Sequence, residues 1–98
     1  MAPKNVVVGT LTYSVGVAPT CKEWGFIDYR AQKIVLADDA EHERHRITLL
    51  HEVLHACTEQ VKLKDDDDEE TFVSRVSPLL LQVLRENPDL VAYLTRED

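Results

Sequence analysis

The sequence predicts a single α+β domain: a small sheet of about three strands, two longer helices packed on it, and a short C-terminal helix. Three observations carry this. The N-terminal third is rich in Val, Thr and Tyr and broken by Gly and Pro, which suits strands and turns. From Asp38 onward the apolar residues recur at helical spacing. The chain has 98 residues, 29 of them Leu, Ile, Val or Phe, enough for one thin core spanning residues 1–98.

Residues 5–17, NVVVGTLTYSVGV, read as one strand bent at Gly9. Trp24 to Tyr29 and Lys33 to Ala37 read as a β-hairpin across Arg30-Ala31-Gln32. Trp24 is expected in the core or as an anchor on the sheet face. Asp38 and Asp39, with Glu41 three after Asp38, form a capping signal, so the first helix is expected over about Asp39 to Leu63. With His51 at 0° and about 100° per residue, Ile47, Leu50, Leu54, Cys57 and Val61 fall at about 240–320° and form the expected core stripe. His51, His55 and Glu52 fall at about 0°, 40° and 100°, along one edge of that stripe. His42 and His45 lie about 180° and 120° from His51 and are expected to face solvent. The second helix is expected over about 68–86, with Phe72, Val73, Val76, Leu80, Val83 and Leu84 on its apolar face. Asn87-Pro88 stops it and caps a last helix containing Leu90, Val91 and Leu94.

The charge is −7, but six acids stand in one run, Asp65 to Glu70; outside it the balance is 11 basic to 12 acidic residues. No basic stripe is present to neutralise phosphates, so no nucleic-acid partner is expected. No apolar run approaches a membrane span. Met1-Ala2-Pro3-Lys4 leads into only three valines, so a secretory signal is not expected either. Cys21 and Cys57 read as free thiols of a reducing compartment, and the expected location is cytoplasmic.

His51-Glu52-Val53-Leu54-His55 is an H-E-x-x-H motif on a strongly helical segment. Residues four apart lie one turn apart on one helix face, so two imidazoles can converge on a single Zn²⁺. The glutamate beside them reaches a water rather than the ion and serves as general base. A catalytic zinc also needs a third protein ligand. With Val73 as zero, Glu69 falls at about 320°, in line with the packed face of the second helix, and Glu70 near 60°. Glu69 is the expected third ligand and Glu70 its alternative. Two imidazoles and one carboxylate suit zinc best among the common metals, one ion per chain. Tyr13, Tyr29 or Tyr93 can donate to a developing oxyanion, and nothing in the sequence chooses among them. The cleft is expected between the edge of strand 33–37 and the H-E-x-x-H helix, where an extended substrate can add to the sheet.

Trp24-Gly25-Phe26-Ile27-Asp28-Tyr29, Lys33-Ile34-Val35-Leu36, Thr48 to Ala56, Glu69-Glu70-x-x-Val73 and Val83 to Pro88 together resemble the small phage- and prophage-associated zinc metallopeptidase-like proteins, which are similar to the ImmA/IrrE class. The resemblance runs from about Trp24 to Leu94. It implies a minimal zincin fold and peptide-bond hydrolysis, with His51 and His55 as zinc ligands and Glu52 as base. It also implies one glutamate of the pair 69/70 as third ligand, and a protein or peptide substrate. Two other readings fit the residues. One is a non-catalytic binding module stapled by zinc, which would help so thin a core. The other is a metal-free interaction protein acting through the acidic run.

Overall fold

The computed structural model describes residues 2–97 and has four strands and three helices in an α+β arrangement. In chain order these are β1 (Asn5–Val8), β2 (Leu11–Ala18), β3 (Gly25–Asp28), β4 (Lys33–Ala37), α1 (His42–Gln60), α2 (Glu69–Glu86) and α3 (Pro88–Leu94). The sheet order is β1-β2-β4-β3, antiparallel at both edges and parallel between β2 and β4.

The segment expected to form one bent strand is two strands. Gly9 takes φ +62°, open to glycine at no steric cost. With Val8 opposite Leu11, the chain reverses through a two-residue loop instead of bending. The fourth strand arises from this reversal. The 25–37 hairpin forms as expected, closed by Asp28 Oδ1 accepting from the Ala31 N–H at 2.9 Å and by Gln32 at φ 52°. Strand 33–37 is not an edge, however. Parallel pairing with β2 places it inside the sheet, and β3 is the edge.

Both ends of α1 lie inside the expected bounds. A turn from Ala37 to Ala40 uses the residues that were to begin the helix, and Glu41 takes the N-cap position without a side-chain bond. His45 ties this start down: its Nε2 lies 2.6 Å from the Ala37 carbonyl oxygen, so His45 is half-buried and partnered rather than solvent-facing. At the other end the Leu63 and Lys62 N–H groups donate to Thr58 and Glu59 carbonyls, a Schellman closure with Lys62 at φ 58°. α2 begins one residue after an N-cap at Asp68, whose Oδ1 accepts from the Thr71 N–H at 2.8 Å.

The core lies between the sheet and the helices: Val6, Val8, Tyr13, Ile34 and Leu36 from the sheet meet Leu49, Val53, Ala56, Cys57, Val76, Val83, Leu90 and Tyr93. The expected stripe on α1 is therefore displaced. Thr48, Leu49, Glu52, Val53, Ala56 and Cys57 are buried, at about 60–240° on the same wheel, and of the expected stripe only Cys57 is buried. Ile47 and Leu50 stand outside. Asn87 does not cap α3 with its side chain. Its amide bridges instead to β1, accepting from the Val7 N–H at 2.8 Å and donating to the Val7 and Val83 carbonyls, each at 2.7 Å. Gln82 Oε1 accepts from the Gly9 N–H at 2.9 Å, and Gln60 Nε2 donates to the Val8 carbonyl. The Asn87 amide thus covers the outward-facing backbone groups of Val7 on the free edge of β1, the pairing hazard that edge strands present. No helix among the described residues is long and apolar enough to cross a membrane.

Candidate metal centre

α1 delivers the motif as its spacing requires. His51 and His55, one turn apart, are both exposed, with ring centroids 4.7 Å apart and planes at 73°. Their Nε2 atoms are 3.1 Å apart. Two nitrogens bound to one tetrahedral zinc at about 2.0–2.1 Å would lie about 3.3 Å apart. The pair is thus already close to the spacing of one edge of such a tetrahedron. Glu52 completes the group: one ligand atom from each of His51, Glu52 and His55 lies within 4.8 Å of the others. The group could hold a metal ion.

The rotation of α1 gives these residues different surroundings. Glu52 is only 6% exposed, inside the packed face, whereas both histidines face outward. Its position follows from Thr48, one turn earlier, which packs under Gly25 of β3. A Cβ on Gly25 would lie 2.7 Å from Thr48 Cγ2 and 2.5 Å from the Val35 carbonyl oxygen. Glycine at that position lets the edge strand approach the helix.

Two grooves meet at His51. One, about 390 Å³, is lined by Trp24, Gly25, Arg44, Ile47, Thr48, His51 and Glu52, with Glu23 at its side. The other, about 230 Å³, is lined by His51, Leu54, His55, Thr58 and Phe72. Trp24 is neither core nor sheet-face anchor. It is 54% exposed, and the Arg44 guanidinium carbon lies 4.8 Å from its ring centre. Arg44, Ile47 and Phe72 were not singled out as site residues by the sequence, because periodicity alone does not say which helix flank borders a cleft.

Glu69 and Glu70 are not brought into the group. Both are exposed in the first turn of α2, and Glu70 Oε1 accepts from Ser74 Oγ at 3.2 Å. Phe72 is the α2 residue that lines the groove with the histidines. Six successive carboxylates repel one another and are best solvated, and this segment turns them outward. Among the tyrosines, Tyr93 is buried beneath Arg46 on the far flank of α1, and Tyr13 is in the core. Tyr29 is partly exposed. Burial, then the charges of Glu59 and Glu52, raise its pKa. Burial likewise raises the Cys57 thiol, which stays a neutral core group.

Compared with known proteins, the chain matches no family model, and neither the curated proteins nor the solved structures hold a significant match to it. The fold and the site define an α+β protein carrying a His-Glu-His group able to hold a metal ion.

Proposed function

We infer that this chain is a zinc-dependent hydrolase of peptide bonds, a minimal zincin. The observation that carries the reading is the 3.1 Å approach of the two histidine Nε2 atoms beside a buried glutamate, at the meeting of two open grooves. His51 and His55 hold the ion, one per chain. Glu69, or Glu70 in its place, is the proposed third ligand; its support is that Phe72, one turn on, lines the histidines' groove. Bound there, zinc supplies Lewis-acid polarisation of a carbonyl and lowers the pKa of water.

The chain's own residues supply the rest. Glu52 takes a proton from water on a carboxylate oxygen and returns it to the leaving amine. Its burial holds that carboxylate in one place beside the histidines. The edge strand can orient an extended peptide. Since the Ala37 N–H donates to the Trp24 carbonyl, Trp24, Phe26 and Asp28 exchange bonds with β4, and Gly25 and Ile27 point their N–H and C=O groups away from it. A peptide adding there would run alongside α1 past Glu52.

The test is metal content by elemental analysis on protein purified without added zinc or chelator, beside His51→Ala, Glu69→Ala and Glu52→Gln. About one zinc per chain is expected, lost in His51→Ala and reduced in Glu69→Ala. Glu52→Gln should keep the metal and the fold but lose peptide hydrolysis. A wild-type protein that takes up no metal even from added zinc removes the reading.

A further inference from the structure

Helix α1 has two apolar faces, and only one is used in the core. Leu49, Val53 and Ala56 are sealed inside, while Ile47, Leu50 and Leu54 follow one another at spacings of three and four on the outer side. Ile47 is 49% exposed and Leu50 43%. On α2, Val76 and Val83 are buried, and Phe72, 39% exposed, stands roughly 20–40° to one side of them.

The two helices lie side by side and run in opposite directions. Phe72, at the start of α2, shares a groove with Leu54 and Thr58 from the later half of α1. α3, which follows α2 directly, is pinned to the start of α1 by Arg46 Nε donating to the Tyr93 carbonyl at 3.1 Å. In that arrangement Ile47, Leu50 and Leu54 form an apolar strip along the outer side of α1, which Phe72 of α2 borders beside Leu54. Single exposed apolar residues are ordinary, but a strip bordered by a second, antiparallel helix has the form that receives a third, amphipathic one.

Charge selects the occupant. The run Asp65–Glu70 borders the strip where α2 begins, and every member but Asp67 is exposed. Among the described residues only Arg75 forms an ion pair with it, to Asp67 at 3.8 Å. We propose that this strip docks a cationic amphipathic helix of a partner protein, its apolar side between α1 and α2 and its Lys or Arg residues over Asp65–Glu70. A second copy of this chain would bring a net charge of −7 against the same charge. The strip reaches the histidines through Leu54 and Phe72, so a docked partner lies beside the candidate metal centre. Docking itself needs neither metal nor Glu52, and it stands or falls separately from the peptidase reading.

The test titrates three synthetic helical peptides against the full chain in the presence of EDTA, followed by fluorescence anisotropy. Two share one leucine face and carry either Lys or Glu on the polar side; the third is the Lys peptide with its order scrambled. The Lys peptide is expected to bind at least about tenfold more tightly than the other two. Its affinity should fall at least about tenfold in Leu50→Glu and Phe72→Glu, both exposed positions, and severalfold in the double variant Asp65→Asn, Asp66→Asn. Circular dichroism of each variant confirms that the fold is kept. No binding, equal binding of the three peptides, or binding that the face substitutions leave unchanged overturns the proposal. A wild-type dimer in sedimentation equilibrium that Leu50→Glu makes monomeric assigns the strip to a second copy instead, and overturns it as well.

Discussion

Asn87→Ala should cost this protein a large share of its stability without touching the candidate metal centre. Asn87 is 7% exposed, and its side chain holds together segments 80 residues apart. Truncation strands three backbone groups: the Val7 N–H, the Val7 carbonyl and the Val83 carbonyl. Leaving a buried polar group unpaired costs about 1–3 kcal/mol. The two Val7 groups are only part-buried and can recruit water, so each belongs near the lower bound, while the Val83 carbonyl is buried. The sum is roughly 3–4 kcal/mol. In a domain of this size each kcal/mol moves Tm by about 4–8 °C, so a fall of roughly 12–30 °C is expected. Urea unfolding followed by circular dichroism measures the loss directly, with an unchanged m-value. Asn87→Asp is the control. It keeps the acceptor for the Val7 N–H but sets a carboxylate against two carbonyls, so it should be at least as damaging as alanine. A loss below about 1 kcal/mol for Asn87→Ala, or an Asn87→Asp protein as stable as the wild type, refutes the reasoning that this amide serves as the missing neighbour of β1.

Three further outcomes are expected, beside the metal analysis above. Lys62→Gly relieves a left-handed residue at the end of α1 and should raise stability by about 0.5–1 kcal/mol in the same urea experiment. Gly25→Ala puts a methyl group against Thr48 and the Val35 carbonyl, so β3 must move off α1; the variant should lose stability and, if zinc is held as proposed, bind it more weakly in a competition titration with a chromophoric chelator. Tyr13 has its pKa raised, first by burial and then by Tyr29, Glu59 and Cys57. The folded state therefore favours its neutral form. That contribution is complete below the ordinary tyrosine value of about 10 and is lost as pH rises through the folded value. Tyr13→Phe should accordingly flatten the fall in stability above about pH 10, measured by urea midpoints across that range; an unchanged slope would show that other groups set it.

Much of the molecule is written in local pattern. The hairpin of β3 and β4, α2 to within a residue, and α3 with Pro88 at its first position all follow from turn chemistry, apolar spacing and the Asn87-Pro88 stop. The histidine pair follows as well, because residues four apart meet on any helix, whatever surrounds it. What failed was whatever depended on a neighbour. Gly9 shows as a break in the sequence, but bend and reversal differ only in whether Leu11 finds Val8 across a two-residue loop. Asn87 has the signature of an N-cap, yet its amide is taken by β1, which arrives from the other end of the chain. The face that α1 buries was misread by about a third of a turn, since α1 carries apolar residues on both sides and periodicity cannot say which side the sheet will take. That choice buries Glu52, leaves His51 and His55 facing outward, and exposes Ile47 and Leu50. The sequence by itself determined which side chains could hold a metal, because a helix sets their spacing. Only the tertiary structure decided which of them is buried, which strand forms the open edge beside them, and that the acidic run stays exposed at the start of α2. Each of those outcomes depends on packing between segments that no local pattern connects.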